Sequence, residues 1–93
     1  MPTVIATLKV KDGKEKEAAE LLKELATGVR ANEPGTLAYV PLQRKDDSRS
    51  FVVYEKYESQ EAFKTHSANL AKHGARFVEV LDGRPEVVFL EEV

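Results

Sequence analysis

Residues 3 to 11, TVIATLKVK, alternate along the chain: Val4, Ala6, Leu8 and Val10 share one side, and Ile5, Thr7 and Lys9 share the other. A period of two is that of a strand with one buried face. Asp12-Gly13 ends it, and the period then changes. Ala18, Leu21, Leu22, Leu25, Ala26 and Val29 recur at steps of three and four, with Lys16, Glu20, Lys23 and Glu24 between them. This pattern predicts an amphipathic helix. Glu15 and Glu17 sit at its electropositive start, and Gly28 weakens it late. Asn32-Glu33-Pro34-Gly35 stops it: proline disfavours helical backbone at the residue before it, and glycine permits the turn that follows.

TLAYVPLQ (36–43) and FVVYEKY (51–57) read as the second and third strands, joined by the polar loop RKDDSRS, a solvated hairpin tip. Pro41 cannot donate to a ladder, so the second strand is expected to lie at an edge or to bulge there. Ser59 caps a second helical region that runs from about Gln60 to Leu81, with a break near Ser67–Asn69 or at Gly74. Asp82-Gly83-Arg84-Pro85 ends it, and EVVFLEEV supplies the last strand. The order β-α-β-β-α-β predicts an α+β, ferredoxin-like fold, an antiparallel sheet with both helices on one face. The other face needs cover too. Leu37, Tyr39 and Pro41 oppose Ala38, Val40 and Leu42, and Val87 to Leu90 are apolar without interruption. Strands apolar on both sides are covered on both sides, and a second copy of the chain is the simplest cover.

The 93 residues make one domain, 1–93. A chain of this size buries only about 60–65% of its unfolded surface, so it is marginal alone. Fourteen basic residues against sixteen acidic ones leave a net charge of −2, which argues against a general nucleic-acid binder. The absence of cysteine excludes disulfides, thiolate catalysis and cysteine-held zinc or iron–sulfur clusters. The N-terminus lacks the marks of a signal peptide, and no apolar run approaches the ~20 residues of a membrane span. The expectation is a cytoplasmic protein with no membrane partner. No glycine-rich phosphate loop or GxSxG elbow is present.

Both histidines fall in one stretch. Phe63, His66, Leu70, His73 and Phe77 recur at helical spacing, which puts titratable groups on an apolar stripe. One reading makes His66 a base in a pocket walled by Phe63, Leu70 and Phe77, with Tyr39, Tyr54 or Tyr57 as hydrogen-bond donors. The other makes it a packed core histidine with one nitrogen bonded to a carbonyl, and the tyrosines packing residues. Gly74 is able to turn His73 outward. Two histidines seven apart with no acid on their stripe make a poor metal site. Glu55, on the face opposite Tyr54, is a candidate partner for Lys9 or Arg84.

The chain resembles the antibiotic biosynthesis monooxygenase family of small dimeric α+β-barrel proteins. The resemblance rests on the opening strand ending in Lys11-Asp12-Gly13-Lys14, and on Asn32-Glu33-Pro34-Gly35 with Tyr39 shortly after. It continues through Glu55-Lys56-Tyr57-Glu58-Ser59, Ala62-Phe63 and His66. It implies a homodimer whose sheets pack into a shared barrel, with a pocket between each sheet and its helices. Some such proteins oxidise aromatic or quinol substrates with molecular oxygen and no metal or flavin; others degrade haem. Haem-degrading relatives carry an asparagine where Ala6 sits and a tryptophan where His66 falls, and this chain has no tryptophan. The family's Glu-x-Trp reads Glu55-Lys56-Tyr57 here. Together these point to a cofactor-free monooxygenase acting on a small aromatic molecule, with His66 as the catalytic base and Tyr54, Tyr57, Phe63, Leu70, His73 and Phe77 around the substrate. No cofactor and no metal are expected. A non-catalytic dimeric barrel that binds a small apolar ligand or serves as a structural partner is the alternative, and a haem binder a third reading.

Overall fold

The computed structural model describes residues 1–93. Its elements are β1 (Thr3–Lys9), α1 (Glu15–Asn32), β2 (Thr36–Gln43), β3 (Ser50–Tyr57), α2 (Gln60–Ala71), α3 (Gly74–Val80) and β4 (Glu86–Leu90). The strands form one antiparallel sheet in the order β2-β3-β1-β4. This is the ferredoxin-like α+β arrangement that the pattern predicts, with the second helical region split in two. The split falls at Lys72-His73, beside Gly74 and not at Ser67–Asn69. The last strand is shorter than the segment EVVFLEEV: it stops at Leu90, where the apolar run ends.

Alternation decides which side chains meet the helices. Val4, Ala6 and Leu8 of β1 and Phe51, Val53, Glu55 and Tyr57 of β3 point inward and are buried. Against them α1 lays Ala18, Leu21, Leu22, Leu25, Ala26 and Val29, all buried. Each such large aliphatic side chain contributes about 1.5–3 kcal/mol relative to exposure. Pro41 lies on the edge strand, where its missing N–H leaves no ladder bond unmade. The irregularity in β2 is nearer its start, between Thr36 and Ala38.

Two glycines set contrasting limits. A Cβ at Gly35 would stand 2.7 Å from Cβ of Ala62, so the missing side chain lets the first turn of α2 rest on the start of β2. A Cβ at Gly28, inside α1, would meet nothing within 4 Å. Gly35→Ala is expected to destabilise the fold by about 1–3 kcal/mol through overpacking. Gly28→Ala should stabilise it by about 0.5–1 kcal/mol through helix propensity. Thermal denaturation of the two variants side by side checks both signs.

The helices cover the inner face only. On the outer face Val40, Leu42, Val88 and Leu90 remain between 42% and 52% exposed. On the inner side β4 is poorly covered as well. Val87 pairs with Ala6 and shares its face, yet is 48% exposed. The space left there opens into a cavity beneath α2 and α3. No helix is long and apolar enough to cross a membrane.

Candidate active site

The site begins with a proline. Pro34 holds Glu33 out of the helical region, at φ −124° and ψ 78°, directly after the last turn of α1. The chain turns there, and the Glu33 side chain enters the interior, where the residue is 8% exposed. On the other side Ser59 caps α2, its Oγ accepting from the Ala62 N–H at 3.1 Å. That cap fixes the phase of the helix, and His66 becomes the only buried residue of α2, 3% exposed.

Glu33 and His66 meet there. His66 Nδ1 lies 2.9 Å from Oε1 of Glu33. The same carboxylate accepts from Thr36 Oγ1 at 3.1 Å and from Asn69 Nδ2 at 3.2 Å. A buried carboxylate with several donors is a satisfied acceptor. In the neutral ring it therefore places the imidazole proton on Nδ1 and leaves the lone pair on Nε2. Nε2 has no hydrogen-bond partner in the protein. It lies 4.0 Å from Oε1 of Glu55, and Glu55 in turn accepts a hydrogen bond from the Tyr57 hydroxyl. The rings of Tyr39 and Tyr57 flank the imidazole, with centroids at 5.1 and 5.4 Å. The carboxylates stand on opposite sides of the ring, so the three groups do not converge on a point where an ion would sit.

Burial acts on the acid groups around the ring. It raises the Glu55 pKa above the usual carboxylate value, against the opposing pull of the Tyr57 hydrogen bond and of positive charge on His66. Burial pushes the Tyr39 phenol well above its ordinary range, helped by Glu55 and Glu33. The Tyr57 phenol is raised as well, by burial and then by its bond to Glu55. Both tyrosines are therefore neutral donors at neutral pH.

His66 and Glu55 open on a cavity of about 640 Å³ between the sheet and α2 and α3. Its walls are mostly apolar and include Ala6, Leu8, Val53, Phe63, Leu70 and Phe77, with Tyr39 beside the imidazole and Arg84 on the loop before β4. A largely apolar cavity with few polar groups is the usual form of a small-molecule site. Phe63 is further braced edge-on by Tyr57, at 5.2 Å, and by Phe89, at 5.6 Å.

Of the residues that the sequence places in the pocket, His66, Phe63, Leu70 and Phe77 come together on this wall. The other three do not. Tyr54 pairs with Ile5 and Val40 on the outer face, because alternation sets it opposite Glu55. Tyr57 is fully buried behind the wall, where it holds Glu55 and backs the imidazole. His73, turned by the break between α2 and α3, lines a separate polar groove on the far side of His66. Glu55 also departs from expectation. Lys9 reaches Asp47 instead, at 2.6 Å, while Glu55 points inward and bonds neither Lys9 nor Arg84. Glu33 has no precedent in the sequence pattern, which marks it only as part of a turn.

A profile of the family described as antibiotic biosynthesis monooxygenase matches residues 1–88. The chain belongs to that family. Solved structures agree. A protein from Caulobacter crescentus CB15, itself provisionally designated an antibiotic biosynthesis monooxygenase, is 34% identical with a TM-score of 0.90, over 99% of this chain and 89% of that one. PA3566 from Pseudomonas aeruginosa is 25% identical with a TM-score of 0.84, over 99% and 93% of the two chains. Rv0793 from Mycobacterium tuberculosis, at 23% identity and a TM-score of 0.87 over 99% of this chain and 94% of that one, shares the fold. No functionally curated protein matches the chain.

In this family member the raised Glu55 pKa carries a sign. A carboxyl whose folded pKa lies above its unfolded value contributes stability below the unfolded value and loses it as pH rises through the folded one. Glutamine keeps the shape and can accept from Tyr57, but it does not ionise. Glu55→Gln is therefore expected to be more stable than the wild type at neutral pH, with the difference shrinking toward acid. Melting temperatures of both proteins from acidic to neutral pH test this.

Proposed function

We propose that the chain is an oxygenase that draws electrons from its own substrate, a small phenol- or quinol-type aromatic held in the apolar cavity, with His66 as the base. The observation that carries this reading is a buried imidazole on the cavity wall, with Nδ1 bonded to Glu33 and Nε2 buried without a hydrogen-bond partner. Ground-state oxygen is a triplet and reacts poorly with neutral closed-shell aromatics, but a phenolate or enolate reduces it readily. Nε2 takes the substrate proton. The Tyr39 hydroxyl, beside the ring and neutral, donates to the developing oxyanion. An electron passes from the anion to oxygen, and the radicals combine at an electron-rich carbon that bears hydrogen. The peroxide regains the proton from Nε2 and loses water, which leaves a carbonyl. One oxygen atom ends in product and one in water, and the substrate carbon supplies all the electrons.

Oxygen uptake with a panel of hydroquinones and hydroxynaphthalenes tests this. At least one is expected to give protein-dependent uptake with one oxygen molecule consumed per oxygen atom inserted into the product. Binding of the panel with no uptake above the spontaneous rate would leave a ligand-binding barrel and refute the oxygenase.

We further propose that a second copy of the chain covers the outer face, since Val40, Leu42, Val88 and Leu90 are too exposed for a lone small domain. Sedimentation is expected to give a homodimer at micromolar concentration; a stable, folded 10.4 kDa monomer would contradict it. Haem is not the expected substrate. Ala6 stands on the cavity wall and tryptophan is absent. Hemin with a reductant should therefore decay no faster than free hemin.

A further inference from the structure

The two ends of the cavity differ in charge. Glu55 and His66 stand at one end, at the level of Val4, which pairs with Glu55 on one side and with Phe89 on the other. The other end is the loop that leads into β4, where Gly83, Arg84 and Pro85 line the cavity. Glu86 pairs with Thr7, and Arg84 lies two residues before Glu86. The backbones that carry Glu55 and Arg84 are therefore about 15 Å apart along the sheet. The reach of the arginine takes up part of that distance, and the remainder suits a fused pair of aromatic rings.

The loop is held at both ends. The Asp82 N–H donates to the Lys9 carbonyl at 2.8 Å, Leu81 bridges Val10, and Glu86 joins the ladder with β1. Between these anchors Gly83 takes φ 90°, which glycine adopts without strain. Pro85 disfavours helical backbone at Arg84. Arg84 is the only lysine or arginine on the cavity's lining. It has no ion-pair partner, whereas Arg44, Arg49 and Arg76 each have one, at 2.6, 3.5 and 2.6 Å. The acids beside it in sequence are engaged or turned away. Asp82 pairs with Arg49, and Glu86 follows Thr7 to the outer face while Val87 faces the cavity.

We infer that Arg84 is a specificity-determining residue of this cavity, selecting an aromatic substrate that bears a carboxylate at the end of its ring system opposite the phenol. The phenol at the His66 end rests on the oxygenase reading; the acid at the other end follows from Arg84 and the loop that holds it. A guanidinium presents a planar fork that matches a carboxylate with two parallel N–H···O bonds. The Glu33 carboxylate behind the imidazole repels a second anion from the His66 end. The mostly apolar walls between the two ends carry the rings. The reverse placement would set the acid near Glu33 and leave the guanidinium facing a phenol. Arg84 is exposed at the cavity's mouth, so the pair forms partly in water and its effect is moderate.

The test is a calorimetric titration under nitrogen with matched probes. 6-Hydroxy-2-naphthoate carries its hydroxyl and carboxylate at opposite ends of two fused rings, and 6-hydroxy-2-naphthamide has the same shape without the charge. The wild type is expected to bind the naphthoate about tenfold more tightly than the amide, the scale of one charge-assisted hydrogen-bonded pair. Arg84→Gln should bind the two alike, with its affinity for the amide close to that of the wild type. Arg84→Lys should keep part of the preference. 3-Hydroxy-2-naphthoate, whose groups are adjacent, should bind the wild type less tightly than its isomer. Equal affinity of the wild type for naphthoate and amide would overturn the inference, as would a full preference that survives Arg84→Gln. Equal binding of the two naphthoate isomers, loss of both 6-hydroxy probes in Arg84→Gln, or no binding of either by the wild type at millimolar concentration would overturn it too. None of these readings involves turnover. If no phenol in the panel consumes oxygen, the oxygenase reading fails alone, and the binding preference still decides the role of Arg84.

Discussion

His66→Ala is expected to lower kcat by about 10²–10⁴-fold, the range that a positioned general base supplies. The loss belongs in kcat, because the imidazole is one polar group on a wall that is otherwise mostly apolar, and most of the binding surface survives its removal. The substitution also removes a buried ring packed against Tyr39 and Tyr57 and leaves Glu33 short of one donor. A stability loss of about 1–3 kcal/mol is expected with it. For a domain of this size each kcal/mol shifts the melting temperature by about 4–8 °C. Turnover and melting must therefore be read on the same sample, below the melting range. A large drop in stability with unchanged turnover per folded molecule would assign His66 to the core and remove it from the chemistry. Partial recovery of turnover on adding imidazole would mark the missing group as a base.

Glu33→Gln should cost about as much in rate and less in stability. The amide keeps the volume but carries two donors and only one acceptor oxygen. It has to face Thr36 Oγ1, His66 Nδ1 and Asn69 Nδ2, all of which now meet a single carboxylate. An amide N–H turned to Nδ1 forces the proton onto Nε2, and the cavity side of the ring becomes a donor. Holding an imidazole in the wrong tautomer costs about 10⁴-fold in the serine-protease triad, where an aspartate plays the part of Glu33. A loss of about 10²–10⁴-fold in kcat is expected here, with the protein still folded. Glu33→Gln turning over at the wild-type rate would separate Glu33 from the mechanism, whatever His66 does.

How much of this was legible in the sequence follows from the range of each signal. Periodicity reads contacts along one element, and there it served well. It gave the strand and helix order, the buried face of α1 and the stripe that carries Phe63, His66, Leu70 and Phe77 to one wall. Strand parity is legible as well: Tyr54 is one residue from Glu55, so the two cannot share a face. The Glu33–His66 pair was out of reach. Its members are 33 residues apart, and they meet only because Pro34 turns Glu33 inward at one helix end while the Ser59 cap sets the phase of another. Asn32-Glu33-Pro34-Gly35 reads locally as a turn, and nothing local says that its glutamate is buried. The place of His73 is set by a similar non-local feature. The stripe continues through it only if α2 continues, and the break at Lys72-His73 sends it to the opposite side.

The most direct test of the account is the state of the His66 ring itself. In ¹⁵N-labelled wild-type protein at neutral pH, under nitrogen, the ring nitrogens report which one bears the proton and which one meets a ligand. The account predicts a protonated Nδ1 and a bare Nε2, and it predicts that a bound hydroquinone shifts Nε2 while Nδ1 keeps its bond to Glu33. A proton on Nε2 in the resting protein, or an Nε2 signal indifferent to every phenol that binds, would contradict it.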